Sequence, residues 1–416
     1  MRVTRSRSLR LLLAVVVGVT TSVAVVLGTR GLLTAVPLAD SGGDDDRPAV
    51  TNRWALRAAL DKLTDNDHLP GAVIQVRDGQ GSTVTLSSGT AELGSGRPMV
   101  DGNARFRIAS NSKAFTAVAV LQLVDEGKIG LDAPIERYLP GVVHGTGAGA
   151  AIDGNTITVR QILQHTSGLP EYVDQLDRMN APARWWEPVD MDYSPAHLVS
   201  LALAQPPLFA PGTGWAYVNT NYVLAGMLVQ AVTGEDIRTV LTERIIAPLG
   251  LADTYWPADD ELGIRGPHAH NYAGAAAGPG TDGATPARAD LTEMTVAPLN
   301  SAGSLVSTPG DLNRFYQALS SGQLLSPDSL AEMRTTVNAA EPRFPAGTSY
   351  GLGLLRMPLS CGGEYWGHGG NLPGVVSMSG ADNTGRQATA YVTTSPDNQS
   401  FQHLLDTMDV AFCSAR

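Results

Sequence analysis

A serine and a lysine three residues apart, Ser110 and Lys113, stand where an apolar helix is predicted to begin. One helical turn places the lysine amine beside the serine hydroxyl, and the helix N-terminus favours a developing oxyanion. Burial among apolar residues lowers the pKa of a lysine, so that its amine can accept a proton. The spacing therefore predicts a nucleophilic serine activated by a lysine base. A capping serine followed by a lysine that extends to solvent is the alternative interpretation of this motif alone.

Two later triplets contain further polar groups. Tyr217-Val218-Asn219 lies in a turn just before a helix and presents a phenol and an amide. His368-Gly369-Gly370 precedes a turn at Pro373-Gly374, and its two glycines allow the backbone to pass close to a ligand. A single tyrosine or histidine is more often structural than catalytic, so the prediction depends on the joint order of the three motifs.

In this order the motifs resemble those of the penicillin-recognising serine hydrolases, which include class C β-lactamases, related esterases and secreted actinomycete D-alanyl-D-alanine carboxypeptidases. The resemblance runs from about residue 52 to residue 413. It also includes the segments at 106–110 (FRIAS), 163–169 (LQHTSGL), 211–212 (PG), 301–303 (SAG) and 307–308 (ST).

The resemblance implies a role for each matching residue. Ser110 is expected to be the acylated nucleophile, with Lys113 and Tyr217 sharing the general-base and general-acid steps. Asn219 is expected to hold Lys113 and the substrate amide through hydrogen bonds. The backbone N–H groups of Ser110 and Asn371 are expected to form the oxyanion hole, in which each donor contributes about 3–4 kcal/mol in comparable enzymes.

The last triplet departs from the family pattern. His368 replaces the more usual lysine, so the resemblance implies a polar, partly positive group beside the Tyr217 oxygen. Gly369 replaces a threonine whose hydroxyl helps to hold a substrate carboxylate, and this departure favours neutral esters. Arg356 is a candidate substitute because an arginine pairs with a carboxylate through two hydrogen bonds; the alternative is a solvent-facing strand residue. The predicted substrate-binding residues are Asn219, Arg356, His368, Gly369, Gly370 and Asn371.

The start of the chain predicts export. Four arginines in the first ten residues precede an uncharged, mainly apolar run over residues 11–29. This pattern is typical of a signal peptide that is cleaved or of an anchor that is retained. We therefore expect an extracellular or cell-surface protein, with residues 1–39 as signal or membrane anchor and 40–50 as linker. In that compartment the two cysteines, Cys361 and Cys413, most simply form one disulfide; two buried free thiols are the alternative.

The composition excludes several classes of function. The 416 residues carry a formal charge of −11, and five arginines precede the first acidic residue, Asp40, so the remainder carries about −16. Binding to a nucleic-acid backbone is not expected at that charge. Neither cysteine has the neighbours of a zinc site, and we predict no metal and no cofactor. We expect a monomer whose partners are small substrates, with cell-wall peptidoglycan as a further partner.

Elements that would position these residues come from both ends of the chain. We predict a helix from about Asn52 to Leu63 with Thr51 as its N-cap, and a closing helix that places Phe401 and Phe412 on one face. Asp78-Gly79 predicts the turn of a hairpin. The predicted strands cover residues 72–77, 83–88, 350–357, 375–379 and 387–394. Thr308-Pro309 and Ser326-Pro327 predict helix starts.

These patterns predict an α+β fold in which helices flank an antiparallel sheet of the five-stranded type, with an inserted, mostly helical lobe. By resemblance this is the β-lactamase/transpeptidase-like fold. The sheet lobe would comprise about 51–109 and 300–416 of a single domain, 51–416, and the helical lobe about 110–299. The active site is expected between the two lobes.

We predict a serine hydrolase that forms an acyl-enzyme at Ser110 on D-alanyl-D-alanine-type peptides or β-lactams. The alternatives are a β-lactamase-like esterase and a non-hydrolysing penicillin or peptidoglycan sensor. Two competing signals carry less weight. Ser349 fits a Gly-x-Ser-x-Gly elbow but is followed by a strand pattern, and His268 and His270 lie in a loop without a third metal ligand. Trp185-Trp186 is compatible with a cleft wall or with a lobe anchor.

Overall fold

The computed structural model describes residues 52–179, 191–273, 288–339 and 342–414. The predicted signal or anchor, the linker, Thr51 and the Trp185-Trp186 pair lie outside these residues. The described residues belong to one compact unit, Arg47–Arg416. Within them, none of the helices combines the length and the apolar character that a membrane crossing requires.

An antiparallel sheet of eight strands forms the centre of this unit, in the order β2-β1-β10-β9-β8-β7-β6-β5, and β3 and β4 form a separate pair. The strands are β1 (Gly71–Arg77), β2 (Thr83–Gly89), β3 (Phe106–Arg107), β4 (Val306–Ser307), β5 (Val337–Asn338), β6 (Ser349–Tyr350), β7 (Leu355–Pro358), β8 (Glu364–Leu372), β9 (Val375–Asp382) and β10 (Gln387–Val392). Strands from both ends of the chain adjoin, since β1 pairs with β10. The predicted antiparallel sheet is confirmed, and three short strands, β5 to β7, extend the five long ones.

The predicted single strand over 350–357 is wrong. Gly353 adopts a φ of +81° there, and the chain turns back so that β6 pairs with β7. A Cβ at residue 353 would lie 2.5 Å from the Cβ of Ala117, which leaves no room for a side chain. The close approach to the helix that contains Ala117 therefore interrupts the strand and places Tyr350 at the cleft.

Ten α-helices surround the sheet in the described residues. They are α1 (Arg53–Asp61), α2 (Ser112–Asp125), α3 (Val159–Gln164), α4 (Val173–Met179), α5 (Pro195–Leu203), α6 (Thr220–Thr233), α7 (Ile237–Leu241), α8 (Pro309–Ser320), α9 (Pro327–Met333) and α10 (Asn398–Cys413). The side chains of Thr308 and Ser326 cap α8 and α9 as predicted. Asn52 caps α1 by accepting the N–H of Ala55, in place of the predicted Thr51.

Two apolar cores hold the sheet and the helices together. One core joins α2 and α6 to the face of the sheet covered by α8, and the other packs α1 and α10 on the opposite face. Helix α2 is buried along nearly its whole length, because small and branched apolar side chains occupy all of its sides. The helix that begins two residues after the predicted nucleophile is thus held from every direction.

Candidate active site

Ser110 lies in a single 3-10 turn, Ala109–Asn111, that leads into α2, and Lys113 is the second residue of α2. The Lys113 amine is 3.1 Å from the Ser110 Oγ, 2.7 Å from the Oδ1 of Asn219 and 2.9 Å from the carbonyl oxygen of Ala302. The lysine is 0 % exposed. Burial destabilises its ammonium form and lowers the pKa of Lys113 from 10.5 to about 7, although the charge of Glu171 acts in the opposite direction. A large fraction of the amine is therefore neutral at pH 7 and can take a proton from Ser110.

The backbone just before the nucleophile is strained. Ala109 adopts a φ of +48°, a left-handed conformation that costs a non-glycine residue about 1–2 kcal/mol. Neighbouring hydrogen bonds hold it in place: the Asn111 amide donates to the Ser377 hydroxyl at 3.1 Å and accepts from the Tyr316 hydroxyl at 3.0 Å. Nothing in the residue type of Ala109 signals this conformation. The turn that carries Ser110 is thus fixed by β9 and α8 as well as by its own helix.

Tyr217 lies in the turn before α6 and lines the same cavity as Ser110, whose side chain is near enough to lower the pKa of the phenol. His165 supports this turn: its carbonyl oxygen accepts the N–H of Ala216 at 3.0 Å, its Nδ1 accepts the N–H of Val218 at 3.3 Å, and its ring lies 4.4 Å from that of Tyr217. Tyr217 is 36 % exposed at the cleft, yet desolvation raises the pKa of its phenol above 10. The phenol is protonated at neutral pH and has a proton to give, whereas the neutral Lys113 amine has room to accept one.

Asn219 connects Lys113 to a carboxylate that the sequence did not reveal. The Glu171 Oε2 accepts the backbone N–H of Asn219 at 2.7 Å and its side-chain N–H at 3.0 Å. Burial raises the pKa of Glu171, although the backbone N–H groups of Asn219 and Val173 and the Lys113 charge lower it. Glu171 lies two residues after the segment 163–169 that resembles the family, but no spacing rule distinguishes it from other acidic residues.

His368 is at the site but does not carry the expected positive charge. It is 2 % exposed, and its Nδ1–H donates to the carbonyl oxygen of Gly369 at 2.6 Å. Its Nε2 then accepts the Tyr350 hydroxyl at 2.9 Å. Burial and the nearby Lys113 lower the pKa of His368 to about 3. The expectation of a partly positive group is therefore wrong, and the ring is neutral at pH 7.

Strand β8 passes very close to the turn that carries the nucleophile. A Cβ at Gly370 would lie 2.2 Å from the carbonyl oxygen of Ile108 and 2.7 Å from the Ser377 Oγ. Only glycine allows this approach, which brings Asn371 and Ser110 to the wall of one cavity. The oxyanion hole formed by the N–H groups of these two residues remains a prediction.

Arg356 does not take part in the site. It lies on β7 opposite Trp366, and its Nη2 pairs with the Glu364 Oε2 at 2.5 Å. The strand register places it beside its ion-pair partner Glu364, and it is not among the residues that line the cavity, although its neighbour Leu355 is. The proposed substitute for a carboxylate-binding threonine is therefore wrong.

A cavity of about 350 Å³ opens beside Ser110. Tyr217, Asn219, Tyr350 and His368 supply polar groups to its wall, and Arg343 lies at the same cavity. Much of the remaining wall is apolar and consists of Trp215, Phe344, Leu355, Val376, Met378 and Phe401. The Met378 sulfur occupies the space beside Gly369, since a Cβ at that residue would lie 2.8 Å from it.

The competing sequence signals have structural explanations. Ser349 lies in the short strand β6 and not at a strand-to-helix elbow. The Nδ1 of His268 is 2.7 Å from the Gly266 carbonyl, and that of His270 is 2.6 Å from the Asp290 carboxylate. No group of three or more potential metal ligands forms within the described ranges. The predicted Cys361–Cys413 disulfide is present.

Comparisons with known proteins agree with this geometry. The family model described as Beta-lactamase matches residues 56–411. A D-aminopeptidase from Cereibacter sphaeroides is 29 % identical over 330 residues, which are 77 % of this chain and 56 % of that protein. The chain spans about half the length of the curated relatives it matches.

Two solved structures share the fold over most of this chain. A D-stereospecific amidohydrolase from a Streptomyces species is 35 % identical with a TM-score of 0.71, and covers 86 % of this chain and 98 % of its own. A D-amino acid amidase from Ochrobactrum anthropi, complexed with L-phenylalanine, is 29 % identical with a TM-score of 0.74 over 86 % of this chain and 98 % of its own.

Proposed function

Because the chain belongs to the β-lactamase family of serine hydrolases, we propose that it hydrolyses amides of D-amino acids and short D-peptides with an apolar acyl side chain. The observation that carries this proposal is the buried Lys113 amine, 3.1 Å from the Ser110 hydroxyl, beside a cavity with an apolar section of wall. The reaction would proceed through an ester formed between Ser110 and the substrate acyl group.

The arrangement of groups supports a proton path for both halves of the reaction. Neutral Lys113 takes the Ser110 proton as the Oγ attacks the substrate carbonyl carbon. The N–H groups of Ser110 and Asn371 hold the oxyanion, and the Tyr217 phenol gives its proton to the leaving nitrogen as the C–N bond breaks. The proton on Lys113 then returns to the phenolate. Water cleaves the ester by the reverse use of the same groups.

The last triplet of motifs offers no charged or hydroxyl group to a free carboxylate on the leaving group, so Arg343 is the cation at the cavity wall that such a carboxylate would have to reach. Gly369 supplies no hydroxyl, His368 is neutral at pH 7, and Arg356 is paired with Glu364. The apolar wall, which includes Phe344 and Phe401, fits an aromatic or branched side chain. Amides are therefore better candidates than the D-alanyl-D-alanine carboxypeptidase and β-lactam reactions that the sequence motifs suggest. The D-configuration is proposed from the named activities of the relatives.

Ester hydrolysis is a second candidate, which the absence of a hydroxyl at Gly369 favours. Protonation of the leaving atom matters less for the oxygen of an ester than for the nitrogen of an amide. The same serine and lysine therefore suffice for an ester. The arginine-rich, apolar N-terminal segment supports the further proposal that the enzyme acts outside the cytoplasm.

A substrate panel tests the proposal. It would contain D- and L-phenylalanine amide, a D-alanyl-D-alanine peptide with a free and with an amidated C-terminus, a penicillin and p-nitrophenyl acetate, with Ser110→Ala as the control. We expect faster release from D- than from L-phenylalanine amide, and faster cleavage of the amidated peptide than of its free acid. Preference for the free acid, or rapid turnover of the penicillin alone, would contradict the proposal. Fast ester cleavage without amide cleavage would establish the second candidate instead.

A further inference from the structure

We propose that Glu171 is a positioning residue for acylation: it fixes the orientation of the Asn219 amide and thereby holds Lys113 on Ser110. The inference rests on the proposed function, because it concerns the base of the same reaction. It is carried by an unbroken series of hydrogen bonds from the Glu171 carboxylate, through Asn219 and Lys113, to the Ser110 hydroxyl.

The carboxylate itself is held rigidly. Its Oε1 accepts the N–H of Val173 at 3.2 Å, while its Oε2 accepts both N–H groups of Asn219. The residues on either side are tied to the start of α6, because the Thr220 hydroxyl donates to the Pro170 carbonyl at 2.6 Å and accepts the N–H of Tyr172 at 3.3 Å. Glu171 therefore offers acceptor oxygens at fixed positions.

The polarity of the series explains why a carboxylate is needed. An asparagine amide has nearly the same shape when its oxygen and nitrogen exchange places, but only one orientation presents Oδ1 to the Lys113 ammonium. Three N–H groups, two from Asn219 and one from Val173, face the two oxygens of Glu171. A glutamine at 171 would place an NH₂ group against one of these donors. If the glutamine amide took the other orientation, the Asn219 amide would have to flip, and its NH₂ group would then face the Lys113 amine.

The charge of Glu171 also acts on Lys113. The titratable groups around the amine are Glu171, Tyr217, Tyr222, His165 and His368. Burial keeps both histidines neutral and both tyrosines protonated at pH 7. Among the described residues, Glu171 is thus the acidic group that raises the pKa of Lys113 against the effect of burial. Loss of this charge would lower that pKa further.

Three variants separate orientation from charge. Glu171→Gln keeps the size and removes the charge, and Glu171→Asp keeps the charge and shortens the side chain. The control Asp174→Asn removes an exposed charge that acts on the pKa of Glu171 but makes none of the hydrogen bonds that connect Glu171 to Ser110. The rate of acylation of Ser110 by p-nitrophenyl acetate would be measured as kcat/KM for the release of p-nitrophenol between pH 5 and pH 9, with thermal melts as a test of folding.

We expect Glu171→Gln to acylate about ten- to a hundredfold more slowly on its plateau, with the acid limb of its pH profile moved to lower pH. Glu171→Asp should be slower with its acid limb unchanged, and Asp174→Asn should match the unmodified protein. The inference would be overturned if Glu171→Gln acylated slowly but kept the acid limb of its pH profile at the original pH, or if it kept the original rate. If this variant does not fold, Glu171→Asp decides, since an unchanged rate there would also overturn it. Release of p-nitrophenol by the unmodified protein no faster than by Ser110→Ala would refute the proposed function instead.

Discussion

The contact between β8 and the nucleophile turn can be tested by adding a single methyl group. In Gly370→Ala the new Cβ would lie 2.2 Å from the Ile108 carbonyl oxygen. Non-bonded carbon and oxygen atoms need more than 3 Å, so β8 and the turn must separate by about 1 Å. Both partners are backbone or anchored side chains, and neither can rotate away. The methyl group therefore moves Asn371 relative to Ser110.

The expected effect follows from that displacement. A misplacement of about 1 Å in a reacting group costs about a hundredfold in rate, and overpacking of a well-packed site costs about 1–3 kcal/mol of unfolding free energy. We therefore expect Gly370→Ala to lower the acylation rate about a hundredfold while it still folds. The loss should appear in kcat more than in KM, because the apolar wall of the cavity is unchanged.

Gly369→Ala is the matched control on the same strand. Its Cβ would meet the Met378 Sδ at 2.8 Å, and a thioether at the end of a flexible side chain can move away. We expect this variant to retain acylation within about fivefold. Both variants would be assayed with p-nitrophenyl acetate, with melting temperatures measured in parallel. Equal rates for Gly370→Ala and the unmodified protein would refute the proposed role of this contact in the oxyanion hole.

Two further predictions concern the base and the disulfide. Since the pKa of Lys113 is about 7 and the neutral amine is the reactive form, kcat/KM for a neutral ester should fall about tenfold per pH unit below pH 6, and Lys113→Ala should suppress acylation about as strongly as Ser110→Ala; a flat profile down to pH 5 would contradict this role. The Cys361–Cys413 bridge, whose residues are 52 apart in sequence, predicts no labelled thiols in the denatured, unreduced protein and a loss on reduction of up to about 4 kcal/mol of unfolding free energy. Two labelled thiols would show that the bridge is absent in solution.

Local rules predicted the parts of the site that depend on near neighbours. The distance from Ser110 to Lys113 follows from one helical turn. The Asp78 turn closes the first hairpin through hydrogen bonds from Gln80 and Ser82, and Thr308 caps α8. The order of the motifs, read with the resemblance, then indicated that Tyr217 and His368 would join them across more than a hundred residues.

The errors concern properties that depend on burial and strand register. The charge of His368 depends on its desolvation and on Lys113, which no single motif reports. Arg356 failed as a carboxylate ligand because the pairing of β7 with β8 places Glu364 beside it. Glu171 was missed because its importance arises only when the chain segment at 170–173 meets the start of α6. These are tertiary effects that override what a residue type suggests.

The neutral charge of His368 and the pKa of about 7 at Lys113, the proposed base, depend on each other. Burial already lowers the pKa of Lys113, and among the described residues Glu171 is the single acidic neighbour that raises it. A lysine in place of His368 would add a second positive charge to the same dry cleft, and like charges lower each other's pKa. That change would supply an anion site for a substrate carboxylate, but it would also lower the pKa of Lys113 and weaken it as a base. The neutral imidazole, held by Tyr350 and the Gly369 carbonyl, therefore keeps the strength of the base separate from substrate recognition.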